Sequence, residues 1–232
     1  MADLAGRFRW LLFSAVCAGV IAGLVVGAVH LLIHVPLIEQ AEVYETAATA
    51  TPVPAPSAAA AHEHAPETRM RAVLTLIADM LAGIGFALLL CAGLSLRGGA
   101  MSVAGGFGWG LAGFGAFALA PALGLPPELP GMDAADLIDR QVWWLATVIA
   151  TASGLALIVF GHRLWRALAG VALLLAPHLI GAPHPPAHVS AVPEALARTF
   201  VVASLGTNLL FWAVLGVACT VALRQLAPGN TR

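Results

Sequence analysis

Two histidines lie four residues apart near the end of the first apolar run, in His30-Leu-Leu-Ile-His34. On a helix, side chains at that spacing stand one above the other, and two imidazoles so placed can share a metal ion. Past Pro36 come Glu39, Glu42 and Glu45, three residues apart. Like charges at that spacing repel, and a bound cation relieves the repulsion. Asp79 lies inside the second apolar run. An aspartate at a helix centre costs about 2.5–3.5 kcal/mol on insertion scales, so its position needs a reason. It is either a metal ligand or proton relay, or a structural partner for a hydroxyl, an arginine or a helix end. His62 and His64 flank Glu63. Side chains two apart converge on one side of an extended chain, an arrangement suited to loose capture of an ion. His178 and His184 belong to Pro177-His-Leu-Ile-Gly-Ala-Pro183-His-Pro-Pro186-Ala-His188, where prolines can hold ligands in place. Imidazole and carboxylate donors suit cobalt, nickel, zinc or manganese. The expected ligand is therefore a divalent metal in passage, with no permanently bound cofactor.

The elements that must position these residues are membrane helices. Hydrophobic residues make up 60 % of the 232 and charged residues 10 %, against about 25 % charged in a soluble domain. Mean hydropathy is +0.90. We expect one integral membrane domain over 1–232. Six apolar runs are visible, near 8–35, 72–96, 103–125, 142–160, 164–180 and 199–223. Most reach the length of about 20 residues needed to cross the hydrocarbon core. The fifth is short, and three residues separate it from the fourth. The expected fold is an all-α polytopic transmembrane bundle of six spans, five if that run is re-entrant. Residues 46–66, rich in Ala, Thr and Pro, read as a flexible outer loop carrying the His62/His64 pair.

Orientation follows from the basic residues, all of which are arginine. Arg7, Arg9, Arg97, Arg163, Arg166, Arg224 and Arg232 fall on one side with Asp3. Arg69, Arg71, Arg140 and Arg198 fall on the other, among ten acids including Glu39, Glu42 and Glu45. The first side is expected to be cytoplasmic, with both termini there. The histidines then segregate: all but His162 lie at or beyond the outer face.

Small residues set the packing. Gly19, Gly23 and Gly27 form a ridge that lets another helix approach closely, and His30 and His34 lie near it. Asp79, Gly83, Ala87, Cys91 and Ser95 recur every four residues and turn Asp79 toward neighbouring helices. Ser204, Asn208, Trp212, Gly216 and Thr220 make a similar ridge in the last run, which reads as helix–helix packing. Gly106 and Gly110 place the third run inside the bundle. Cys17, Cys91 and Cys219 form no CxxC and read as small packing residues.

Several segments resemble one family, the CbtA family of predicted cobalt transporter subunits. They are RFRWLLFSAVCAGVIAGLV at 7–25, HVPLIEQAEVYE at 34–45, GIGFALLL at 83–90, GFGWGLAGFGAF at 106–117, LAPALGLPPELPG at 119–131, RQVWW at 140–144 and PHLIGAPHP at 177–185. The resemblance implies a bacterial inner-membrane protein in cobalt uptake, linked to cobalamin synthesis. It also implies a small single-span partner with a His-bearing tail, CbtB. Where family members often carry a longer His/Glu tract in the first outer loop, this chain has His62-Glu63-His64.

These observations favour a metal permease component in the lipid bilayer, in which outer His and Glu collect Co²⁺ and Asp79 helps pass it inward. A non-transporting membrane partner or assembly protein with structural histidines is the alternative. An enzyme is not expected. Membrane hydroxylases need several HxxxH or HxxHH boxes, and a rhomboid-like protease needs a membrane Ser with a His on another span. There is no Walker A motif, and no nucleic-acid partner is expected.

Overall fold

The computed structural model of the chain describes residues 2–49, 60–98, 102–185 and 190–227. Among these every regular element is helical. The first apolar run is α1 (Ala2–Val29), which passes through a π turn at His30–His34 into α2 (Val35–Thr49). The second is α3 (Ala60–Arg97). The third is α4 (Val103–Phe114), followed by a π turn at Gly115–Leu119 and the short α5 (Ala120–Ala122). Then come α6 (Leu137–Phe160), α7 (Leu164–Ile180) and α8 (Glu194–Gln225). The six apolar runs are thus six helical stretches. Five are long and apolar enough to cross a membrane, and α7, with 17 residues, is shorter.

The first helix corrects one expectation. It does not stop at Pro36 but continues to Thr49. Proline has no N–H to give, and its ring crowds the carbonyl four residues back. The turn before Pro36 widens to π geometry, with the Val35 N–H bonded to the His30 carbonyl, and the chain continues. The same device recurs in the third stretch. There the Ala120 N–H bonds the Gly115 carbonyl and Pro121 follows. Helix also enters the Ala/Thr/Pro tract from both ends, over 46–49 and 60–66, since alanine has the highest helix propensity. Residues 50–59 lie outside the described ones.

Contacts divide the chain into two compact units. The first comprises 1–36, 49–111 and 209–232. In it α1 and α3 run antiparallel and close. A methyl on Gly19 would overlap the Ile84 backbone, and one on Gly23 would come 2.5 Å from the Met80 Cα. The interior faces of these helices carry small residues: Ala15, Ala18 and Ala22 are fully buried, while Phe13, Ile21 and Leu24 are exposed. That is the arrangement of helices packed in lipid, where small residues make the contact and large apolar ones face outward. Gly106 and Gly110 of α4 lie against Gly216, Thr220 and the Trp212 carbonyl of α8, as the small-residue spacing anticipates.

The second unit comprises 37–48 and 112–208. Asp136 starts α6, its carboxylate accepting from the Ile138 and Asp139 N–H groups as an N-cap does. A three-residue link joins α6 to α7, and Gly154 and Gly170 let their backbones meet, each carbonyl 2.7 Å from a methyl placed on the other. Ala41, Leu129 and Val192 form a small core, flanked by Ile38, Met132, Leu196 and Phe200. The Pro-rich loop ahead of α6 is tied by Arg140 to Glu128 at 2.8 Å.

Candidate metal site

The widened turn of the first helix carries both histidines. His30 opens it and His34 closes it. Their ring centroids are 4.7 Å apart and their planes are nearly perpendicular, at 80°. His34 is buried. His30 Nδ1 lies 2.9 Å from Asp79 Oδ2 on α3. An ionised carboxylate can only accept, so Nδ1 is the donor of this bond when Asp79 is charged, and a neutral His30 then keeps its lone pair on Nε2. Carboxylates that bond one imidazole nitrogen in this way orient the other toward a metal.

Gly27 makes the pair possible. A methyl there would come 2.6 Å from Leu76 Cδ2 and 3.3 Å from Asp79 Oδ2. The glycine ridge, the π turn and the Asp79 ridge therefore meet at one place in the first unit. Of the two roles left open for Asp79, the geometry shows a partner, and that partner is a histidine rather than a hydroxyl, an arginine or a helix end.

The remaining sequence candidates stand elsewhere. Glu39 and Glu42 follow on α2, Glu39 exposed and Glu42 half-buried. His178 lies in the last turn of α7, edge-on to Trp143 at 6.1 Å between centroids. His184 is exposed in the segment after α7. His62 and His64 lie on the first turns of α3, with their side chains outside the described residues, as is His188 altogether. Among the described residues no three His, Cys, Asp or Glu side chains gather as a ready ligand set for an ion. Asn208 donates to the Ser204 carbonyl of its own helix.

The sequence did not reveal Trp143 behind His178. It packs against Gly124 as well, and nothing in the RQVWW run distinguishes its two tryptophans.

The family comparison covers all these positions. Residues 8–224 match CbtA, described as a probable cobalt transporter subunit. This chain belongs to the CbtA family. No curated protein and no solved structure matches it. The family's description is of a probable cobalt transporter subunit, and an ion in such a role is cargo rather than a resident cofactor. In this CbtA chain the His30–Asp79 pair lies within the matched span.

Proposed function

We propose that this CbtA chain admits Co²⁺ to the membrane through His30 and His34, with Asp79 holding His30 in its ligand form. The carrying observation is the 2.9 Å bond between His30 Nδ1 and Asp79 Oδ2, with the His34 ring 4.7 Å away. It leaves His30 Nε2 as the donor atom. Two imidazoles supply part of a coordination sphere, and water fills the remainder. Such partial coordination suits an ion that must leave again.

Glu39 and Glu42, further along the same helix, gather cations by charge. His178 and His184, and the His62/His64 pair, add outer donors. Both termini face the cytoplasm of a bacterial inner membrane, and a single-span CbtB-like protein is the partner. The arginine asymmetry supports this orientation. The chain acts by passage of the ion, without catalysis.

The deciding experiment is uptake of radioactive cobalt by cells expressing the chain with and without its small neighbour. Uptake above background that falls in His30→Ala supports the reading. Uptake that is unchanged in His30→Ala and His34→Ala makes the histidines structural, and no metal-dependent uptake in either arm leaves a non-transporting membrane partner.

A further inference from the structure

Deeper in the first unit, α1, α3 and α8 each carry a buried polar side chain at one level of the bundle. Cys91 of α3 and Cys219 of α8 are 1 % and 0 % exposed. The Cys219 thiol faces the Ala87 carbonyl at 3.9 Å, one helical turn before Cys91 on the same α3 ridge, which brings the two thiols to one place between the helices. The third group is Ser14 of α1. It is fully buried, and its hydroxyl has no hydrogen-bond partner among the described residues.

Helix register puts Ser14 at this level. Trp10 Nε1 donates to the Leu223 carbonyl, and α1 runs opposite to α8. Four residues on from Trp10 is Ser14, and four residues back from Leu223 is Cys219. The α1–α3 pairing of Gly19 with Ile84, carried five residues further, brings Ser14 level with Leu89, within one turn of Cys91. A buried hydroxyl without a partner is costly, so its place at the level of two thiols calls for a function.

We infer that Cys91 and Cys219 form a second metal site, binding one thiophilic divalent cation as two thiolates with Ser14 and the Ala87 carbonyl within reach. The chemistry balances simply. Two S–H bonds break, two metal–sulfur bonds form, and two protons leave for each M²⁺ bound, with no change of oxidation state. The product carries no net charge. That matters in an apolar interior, where an uncompensated ion is very costly. Cys91 lies three ridge positions beyond Asp79, about 18 Å along α3 at 1.5 Å per residue. The thiol site is thus separate from His30 and does not depend on it.

The test uses the full chain purified in detergent, reduced, freed of reductant and kept anaerobic, with Co²⁺ as the probe. Thiolate bound to Co²⁺ gives a near-ultraviolet charge-transfer band that imidazole and carboxylate do not. We expect that band in the wild type, in Cys17→Ser and in His30→Ala, and its loss in Cys91→Ser and in Cys219→Ser. About two protons should be released per ion bound at this site. A measurement on the wild type guards against variants that fail to fold: the X-ray absorption spectrum of the bound Co²⁺ should show sulfur among its direct neighbours. No band in the wild type, a band that persists in Cys91→Ser, or a bound ion with only nitrogen and oxygen neighbours would overturn the proposal. Survival of the band in His30→Ala, whatever that variant does to uptake, separates this site from the outer one.

Discussion

A single hydrogen bond decides which nitrogen of His30 is free. Because an ionised Asp79 can only accept, a neutral His30 carries its proton on Nδ1, and in the proposed reading Nε2 is the atom left to meet a metal. Asp79→Asn keeps the shape and a carbonyl acceptor but loses the charge. It should leave the thermal melting of the protein nearly unchanged and lower Co²⁺ affinity about 10–100-fold, the usual effect of removing such an orienting partner. Isothermal titration reads this directly, and unchanged affinity would make Asp79 a helix-packing residue. Protons compete with metal for imidazole nitrogen, so affinity should fall steadily between about pH 7.5 and pH 5.5, the range in which histidine ordinarily titrates. His30→Ala should flatten that slope. A site made of Glu39 and Glu42 alone would hold its affinity there, since ordinary carboxylates titrate near pH 4. The types and spacing of His30, His34 and Asp79 were legible in the sequence, because the glycine and small-residue ridges turn them inward. The bond between His30 and Asp79 was not, since it depends on how α1 slides along α3, and no local pattern sets that register.

Elements explain why the register is held. Gly19 and Gly23 bring α1 within backbone contact of α3, and Gly27 clears the space into which Asp79 reaches. Gly19→Ala would force a methyl into the Ile84 backbone, which has no flexible end to move aside. It should destabilise the first unit by about 1–3 kcal/mol, the usual cost of overpacking. Gly85→Ala is the control, because a methyl there meets nothing within 4 Å. Replacing a helical glycine by alanine in open space favours the helix by up to about 1 kcal/mol, so its melting temperature should hold or rise. Thermal unfolding in detergent compares the two, and equal effects would refute the close-contact account. The ridges could be read from four-residue spacing alone. The π turns could not, although each is followed after one intervening residue by a proline, at Pro36 and at Pro121. A proline inside an apolar run ordinarily signals a helix end. Here the turn widens instead, and widened turns of this kind are frequent at functional sites.

At the scale of the whole molecule, the shortest of the six helical stretches decides the topology. A helix of 17 residues is about 26 Å long at 1.5 Å per residue, against a hydrocarbon core of about 30 Å. The shortfall is small enough for local thinning of the bilayer to absorb, at fractions of a kcal/mol per Å. Charge argues that α7 does cross. If it turned back, the number of crossings would be odd. Arg224 and Arg232 would then lie on the opposite side from Arg7 and Arg9, against the tendency of arginine to stay cytoplasmic. Six crossings return the end of α8 to the side where α1 begins. Trp10 bonds the Leu223 carbonyl, which places those two helix ends at one level of the first unit and agrees with an even number. The prediction is specific. In a chain without its native cysteines, His184→Cys should react with a membrane-impermeant maleimide added outside intact cells. Leu226→Cys, exposed at the end of α8, should react only after the cells are opened. If His184→Cys also needs opened cells, α7 is re-entrant and His178 and His184 leave the outer face. If Leu226→Cys reacts from outside, the orientation drawn from the arginines is wrong, and Glu39 and Glu42 no longer stand where they would meet an incoming cation.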